Sequence, residues 1–246
     1  MTTRIAVVTG GMGGLGTAIC IGLARAGCTV IAADLPGPAE RDAAFAAAVA
    51  GLDVHALPLD VSDFEACGRF VAEVQQRFGS LDVLVNNAGI TRDSSLRKMT
   101  PEQWHAVLDV DLNSVFNLCR HAVEGMVARG FGRIVNISSV NGQTGQFGQT
   151  NYSAAKAGIH GFTMALAREV ASKGVTVNSV SPGYCETAMV MAVPQALRDD
   201  IVAKVPVGRL GKPDDIARTV AFLGADDAGF ITGANIPVNG GLFISF

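Results

Sequence analysis

The stretch Gly10-Gly11-Met12-Gly13-Gly14-Leu15-Gly16 constrains this chain more than any other, because five of its seven residues lack a Cβ atom. It follows an apolar run, Arg4-Ile5-Ala6-Val7-Val8-Thr9, and opens a helical pattern from Thr17 that stops at Gly27. A strand that feeds a helix through such a turn is the start of a β-α-β unit. So open a turn lets backbone approach a pyrophosphate at the helix N-terminus, where unpaired N–H groups and the helix dipole favour anions. Gly10, Met12, Gly14, Leu15 and Gly16 are the candidate contacts. The same glycines would also serve a helix packed tightly on a strand with nothing bound.

Further units follow in the same rhythm. A second strand, Thr29–Ala33, ends in Asp34, near the ~20-residue offset at which an acidic residue meets an adenosine ribose. A carboxylate there accepts from both ribose hydroxyls and repels a 2′-phosphate. Neither arginine nor lysine stands in the glycine turn or directly after Asp34, so NAD(H) is expected over NADP(H). A turn aspartate ahead of Pro36 is the alternative. The third strand, Val54–Val61, carries Asp60 at its carboxyl end, placed either to bond adenine or to cap the helix beginning near Ser62, with Val61 beside it. Helices are expected over Ala43–Val49 and Phe64–Phe78. The fourth strand, Leu81–Val85, runs into Asn86-Asn87-Ala88-Gly89, where amides and a glycine suit a crevice closing on a ligand. Pro101 opens a helix through Leu118 with too many apolar positions for one buried face, so part of it is expected to pack on another subunit. Within it Asn113 bonds backbone or faces the site. Strands are expected at Gly132–Ser138, Val175–Val180 and Ile231–Val238. The sixth exits through Ser181-Pro182-Gly183-Tyr184-Cys185-Glu186-Thr187, a turn over the cofactor side. Ala188–Val205 reads as a helical lid and Asp214–Leu223 as a further helix.

Between the fifth and sixth strands lie Tyr152 and Lys156, one helical turn apart on one face. Free tyrosine titrates near pH ~10 and is a poor acid or base at neutral pH. An ammonium one turn away favours the phenolate and brings the group toward proton transfer. Ser139, thirteen residues before Tyr152 at a strand end, is placed to bond the same substrate oxygen. The pattern suits a carbonyl–alcohol pair, although Tyr-x-x-x-Lys by itself is commonly a surface pair.

Composition excludes several classes. A net charge of −3 offers no basic field for nucleic acid. Five scattered cysteines without C-x-x-C spacing argue for reduced thiols in the cytoplasm rather than a disulfide frame or a zinc site. Cys185, near the expected pocket, has no local base and reads as packing. The four histidines lack metal spacing, so no metal is expected. Met1 runs almost directly into the first strand, so no signal peptide is expected, and no apolar run reaches the ~18 residues of a membrane span.

Thr9-Gly10-x-x-x-Gly14-x-Gly16, Asn86-Asn87-Ala88-Gly89, Asn113, Ser139, Tyr152-x-x-x-Lys156 and Pro182-Gly183 together resemble the short-chain dehydrogenase/reductase family along the whole chain. The resemblance implies one domain over 1–246, with a dinucleotide-binding half (1–130) and a catalytic and substrate half (131–246). It implies a Rossmann-type, doubly wound α/β sheet of about seven parallel strands flanked by helices, assembled as a homotetramer. It also implies roles: Tyr152 transfers the proton and Ser139 steadies the substrate oxygen. Lys156 binds the nicotinamide ribose and acts on the phenol, while Asn113 holds a water that continues the relay. Asp60, Val61, Asn87, Ala88, Gly89, Pro182, Gly183 and Thr187 join the glycine turn and Asp34 as cofactor residues. Ser138 is read as structural.

The segment Val135–Tyr152, with Gly89-Ile90-Thr91-Arg92-Asp93 and Gly10–Gly14, further resembles the acetoacetyl-CoA reductases of polyhydroxybutyrate synthesis. By that resemblance Asp93, Lys98, Gln146, Phe147, Gln149 and Tyr184 line an acyl-CoA pocket; as residues alone they also pass for ordinary loop polar groups. Asp34 departs from those enzymes, most of which use NADPH. A 3-oxoacyl-acyl-carrier-protein reductase is the competing activity, with Arg129, Arg133, Arg168 and Lys173 as a docking surface for an acidic partner. A catalytically silent dinucleotide-binding protein is the alternative from another class.

Overall fold

The computed structural model describes residues 3–244, so Met1 lies outside it. Seven strands, β1 (Ile5–Thr9), β2 (Thr29–Asp34), β3 (Val54–Pro58), β4 (Val83–Asn86), β5 (Gly132–Ile137), β6 (Val175–Pro182) and β7 (Asn235–Val238), form one sheet in the order β3-β2-β1-β4-β5-β6-β7. Every pairing is parallel. Parallel neighbours need crossovers, and helices supply them on both faces. The central strands read as nearly unbroken apolar runs because both faces are covered. Val7, Ile31, Leu84 and Ile134 point into one core with α3 (Phe64–Phe78), α5 (Ser114–Arg129) and α7 (Thr150–Val170), the last preceded by the short α6 (Asn141–Thr144). Ala6, Val8, Val30, Val83 and Val135 point into the other, against α1 (Gly14–Arg25), α2 (Ala39–Ala48) and α10 (Pro213–Gly224). Each large side chain so buried contributes about 1.5–3 kcal/mol.

Strand order reverses at β1, whose neighbours are β2 and β4. The loops leaving β1 and β4 therefore diverge, and the crevice between them is where sheets of this kind hold ligands. The glycine turn and Asn87-Ala88-Gly89 occupy those two loops.

Several boundaries differ from expectation for identifiable reasons. β3 ends at Pro58, so Asp60 and Val61 belong to the loop beyond it. The span Ala188–Val205 is not one helix: Pro194, with φ −51° and ψ 142°, separates α8 (Ala188–Met191) from α9 (Gln195–Lys204). The helix from Pro101 is also broken. α4 (Pro101–Leu108), capped by reciprocal Thr100 and Gln103 bonds, passes through a wide π-helical turn, Asp109–Asn113, before α5 begins. α3 matches expectation, with Asp63 capping its start (Oδ1 accepts from Ala66 N, 2.9 Å) and Gly79 ending it at φ +90°.

Candidate active site

The glycine turn is held open by backbone rather than side chains. A Cβ on Gly16 would lie 2.0 Å from the Gly10 carbonyl oxygen, which no shift of a flexible group relieves. Gly13 at the N-cap of α1 offers no side-chain bond, so the first-turn amides remain unclaimed by any cap. Thr9 Oγ1 accepts from both Asn87 N and Ala88 N at 3.0 Å, and Asn87 Nδ2 donates to the carbonyls of Thr9 (2.9 Å) and Gly10 (3.2 Å). Asn87 therefore commits its amide to shaping the turn. Thr187 packs on Gly14 from the far side, where an added Cβ would meet its methyl at 3.3 Å. A pyrophosphate fits this cradle of bare backbone and free helix-terminal N–H groups.

Asp34 closes the end of the crevice beside β2. Its Oδ2 accepts from Met12 N at 3.0 Å, joining the end of β2 to the turn. The residues next to Asp34 offer no cation, yet Arg41, seven residues on, reaches back: Nη1 lies 3.5 Å from Asp34 Oδ1, and Nη2 bonds the Leu35 carbonyl at 2.7 Å. Asp60 and Leu35 line a neighbouring cleft of ≈ 280 Å³ with Leu59, Arg69 and Phe70. Asp60 Oδ1 itself accepts from Ser62 N and Oγ in a local turn, and the cap of α3 expected of it falls to Asp63 instead. Val61 is buried and its carbonyl accepts from Asn117 Nδ2.

At the other end of the crevice α7 carries Tyr152 and Lys156. Lys156 is buried; its Nζ donates to the Ile137 carbonyl (3.1 Å) at the end of β5 and stands 5.6 Å from the centre of the Tyr152 ring. Ser139, two residues past Ile137, is buried and accepts from Asn141 N at 3.1 Å. Ser138 Oγ donates to the Lys156 carbonyl at 2.8 Å, a structural bond. Val140 N to the Pro182 carbonyl (2.8 Å) and Gly183 N to that of Val238 (3.0 Å) tie this segment to the exit of β6.

Asn113 is not brought into this cluster. It is exposed, and its amide donates to Asp109 Oδ1 at 2.8 Å. The π-helical turn changes the phase of the helix, and Asp111, which sequence reasoning passed over, takes the place beside the lysine. Its Oδ2 lies 3.2 Å from Lys156 Nζ, and its Oδ1 accepts from Ile90 N at 2.8 Å. Burial pushes the Asp111 carboxyl up, against the pull of Lys156 and the Ile90 amide. Burial works against the Lys156 charge too, but Asp111 and Tyr152 outweigh it and hold the ammonium protonated. An acidic residue inside an otherwise apolar helical stretch was the available signal. Gly89 passes so close to this pair that a Cβ there would lie 2.8 Å from Asp111 Oδ2.

The expected substrate residues divide. Gln149 bridges Asp93 (Nε2 to Oδ2, 2.9 Å) and Asn141 (Oε1 from Nδ2, 2.9 Å), closing the loop over the start of α7. Lys98, Gln146 and Phe147 lie toward solvent; Phe147 is 91% exposed. Tyr184 lines a cavity of ≈ 380 Å³ with Val205, Arg209, Arg218 and Asn239. The expected basic docking surface loses one member: Arg133 is buried, bonding the carbonyls of Ala225 and Asp226, whereas Arg129, beside Leu81 and Asp82, and Arg168 and Lys173 are exposed.

No described helix is long and apolar enough to cross a membrane. Residues 10–243 match the family model described as enoyl-(acyl carrier protein) reductase. The chain is 56% identical over 243 residues to the acetoacetyl-CoA reductase of Allochromatium vinosum, covering 98% of this chain and 99% of that protein. It is 55% identical, with the same coverage, to the acetoacetyl-CoA reductase of Cupriavidus necator. A 3-oxoacyl-acyl-carrier-protein reductase of Pseudomonas aeruginosa is 43% identical over 242 residues, 98% of each chain.

Proposed function

The chain belongs to the short-chain dehydrogenase/reductase family, and on that premise we propose that it moves a hydride between NAD(H) and the 3-keto/3-hydroxy group of acetoacetyl-CoA/(R)-3-hydroxybutyryl-CoA, as the reductive step of polyhydroxybutyrate synthesis. The observation that carries this reading is the buried Lys156 ammonium, 5.6 Å from the Tyr152 ring and anchored at the end of the strand that leads to Ser139. When bound, the dinucleotide supplies or accepts the hydride at its nicotinamide. Tyr152 gives its hydroxyl proton to the carbonyl oxygen in reduction and takes it back in oxidation. Ser139 holds that oxygen by a hydrogen bond. Lys156 binds the nicotinamide ribose and, as a fixed cation, lowers the cost of the phenolate left after proton transfer.

At the adenosine end, the Asp34 carboxylate supports NADH by accepting ribose hydroxyls, while Gly10–Gly16, Asn87–Gly89, Pro182, Gly183 and Thr187 frame the rest of the cofactor. Gln149 and Asp93, joined to each other, frame the acyl-CoA side with Gln146, Phe147, Lys98 and Tyr184. The division into a dinucleotide-binding half and a catalytic half follows the two ends of the crevice. The chain assembles as a homotetramer; exposed Phe116, Met164, Phe222 and Phe230 support burial against other copies, and light scattering tests it. Five free thiols support a reducing, cytoplasmic setting.

Two assays test the reading. Turnover of acetoacetyl-CoA with NADH and with NADPH decides the cofactor; a preference for NADPH of about tenfold or more overturns the Asp34 argument. Turnover on the CoA thioester against the carrier-protein thioester decides the acyl carrier, and the commitment of Arg133 inside the fold favours CoA. Tyr152→Phe abolishes turnover under this reading and leaves function untouched if the protein is catalytically silent.

A further inference from the structure

Two acidic side chains are buried among the described residues, Asp82 and Asp111, and they stand in different surroundings. Asp82 sits just before β4, accepting from Ile5 N and Ser80 Oγ with Arg129 alongside. Asp111 sits in the active crevice. Its side chain is 0% exposed and that of Lys156 is 4%; among the described residues, Oδ2 has no other donor in reach than the Lys156 ammonium at 3.2 Å. The other oxygen is fixed by Ile90 N, in the loop that leaves β4. The pair thus connects three elements at one point: the π-helical turn, the second turn of α7 and the loop after Gly89. The close passage of Gly89, 2.8 Å from Oδ2 and 3.3 Å from Nζ for a notional Cβ, shows that this loop is shaped around the pair.

Where the family resemblance implies an asparagine beside the lysine, this chain has a carboxylate, and the difference is electrostatic. We propose that Asp111 is a positioning residue that holds the Lys156 ammonium against the Gly89–Ile90 loop and, as a buried anion, cancels part of the positive field Lys156 imposes on Tyr152. The proposal rests on the oxidoreductase reading for its consequence, though not for its test.

Few other charges reach this point. On α7, His160 lies one turn beyond Lys156; burial lowers its affinity for a proton, and it contacts Ser181 Oγ at 3.3 Å. On the π-helical turn, Asp109 is exposed and bonded to Asn113. From the loop after β4, Arg92 and Asp93 are exposed, Asp93 being taken by Gln149. None of these is buried against the ammonium as Asp111 is.

The chain has two tyrosines, Tyr152 and Tyr184, so Tyr184→Phe leaves Tyr152 as the sole phenol. In that background, tyrosinate absorbance of the unliganded protein is followed against pH with Asp111 present and with Asp111→Asn. Asparagine keeps an acceptor for Ile90 N while removing the charge. The expected result is a titration midpoint lower by about one pH unit in the Asp111→Asn variant, the effect of deleting one buried charge near the phenol. Coincident midpoints overturn the proposal, even if the variant melts earlier, because a purely structural role lowers Tm without moving the titration. Should Asp111→Asn not fold by circular dichroism, Asp111→Ser is read in the same way. In turnover, the alkaline limb of reduction, with Tyr184 in place, falls by the same increment. If no thioester is turned over at all, the functional reading fails while the absorbance result still decides the role of Asp111.

Discussion

Arg41 Nη1 lies 3.5 Å from Asp34 Oδ1, so the carboxylate proposed to meet the adenosine ribose carries its own counter-ion. The guanidinium is seated over Gly37 and also bonds the Leu35 carbonyl and Asp42. With Asp34 present, the local field facing a 2′-position is a carboxylate backed by a cation. With Asp34 absent, it is the cation alone. Asp34→Ala is therefore expected to shift the ratio of kcat/KM for NADH over NADPH toward NADPH by at least about tenfold, equivalent to ~1.4 kcal/mol of differential binding. Adding Arg41→Ala should remove most of the NADPH gain. An unchanged ratio in Asp34→Ala would remove Asp34 from cofactor choice.

The Lys156–Asp111 pair makes a stability prediction with a definite sign. Lys156→Met leaves a buried carboxylate without its partner, at a cost of about 3–5 kcal/mol. Burial raises the folded-state affinity of Asp111 for a proton, so its contribution is greatest when acid protonates it and is lost as pH rises through the folded value. The deficit in Lys156→Met, measured by denaturant unfolding, should therefore shrink from about pH 8 toward about pH 5. In the native protein, Lys156 is held protonated by Asp111 and Tyr152. Its contribution is complete below the ordinary lysine value of 10.5 and is lost only above it.

Gly16→Ala should fail at the cofactor before it fails at the fold. The added methyl meets the Gly10 carbonyl at 2.0 Å, and both atoms belong to the turn proposed to receive the pyrophosphate. A loss of about 1–3 kcal/mol in stability is expected from the overpacking. Loss of detectable NADH binding by fluorescence titration should accompany it. A folded Gly16→Ala protein with native NADH affinity would show that the turn is not the phosphate cradle.

Asn113→Ala should keep kcat within about threefold of the native value, because the side chain is exposed and bonded to Asp109. A loss of about a hundredfold or more would restore the relay role that the family resemblance implied. Light scattering on the same sample checks that assembly is intact.

Cys185 lies close to Gly183 and Tyr184 yet should be inert. It is 4% exposed, and burial pushes its thiol up to about 11, far from the thiolate form at neutral pH. Thiol labelling followed by mass spectrometry should find Cys28, which is only partly buried, modified first. Cys185, Cys20, Cys67 and Cys119 should label only on unfolding.

What could be read from the chain followed from local rules. α3 was legible over Phe64–Phe78 because its apolar period acts within one or two turns, although the aspartate that caps it is Asp63 and not the expected Asp60. The glycine turn was legible because bare backbone between a strand and a helix has few other uses. Boundaries were less legible where a neighbour decides them: β6 runs on to Pro182 only because β7 pairs with it there.

Local order along the chain was enough to set the alternation of strand and helix, hence a parallel sheet, and the Tyr152–Lys156 spacing, since both depend on contacts within a few residues. Packing in three dimensions settled which acid meets the lysine, where Arg41 turns, and that Arg133 is buried. Each of these depends on the phase of a helix or the meeting of distant segments. The π-helical turn over Asp109–Asn113 rotates Asp111 inward and Asn113 outward, and that rotation is sustained by Lys156 and Ile90, both far from Asp111 along the chain.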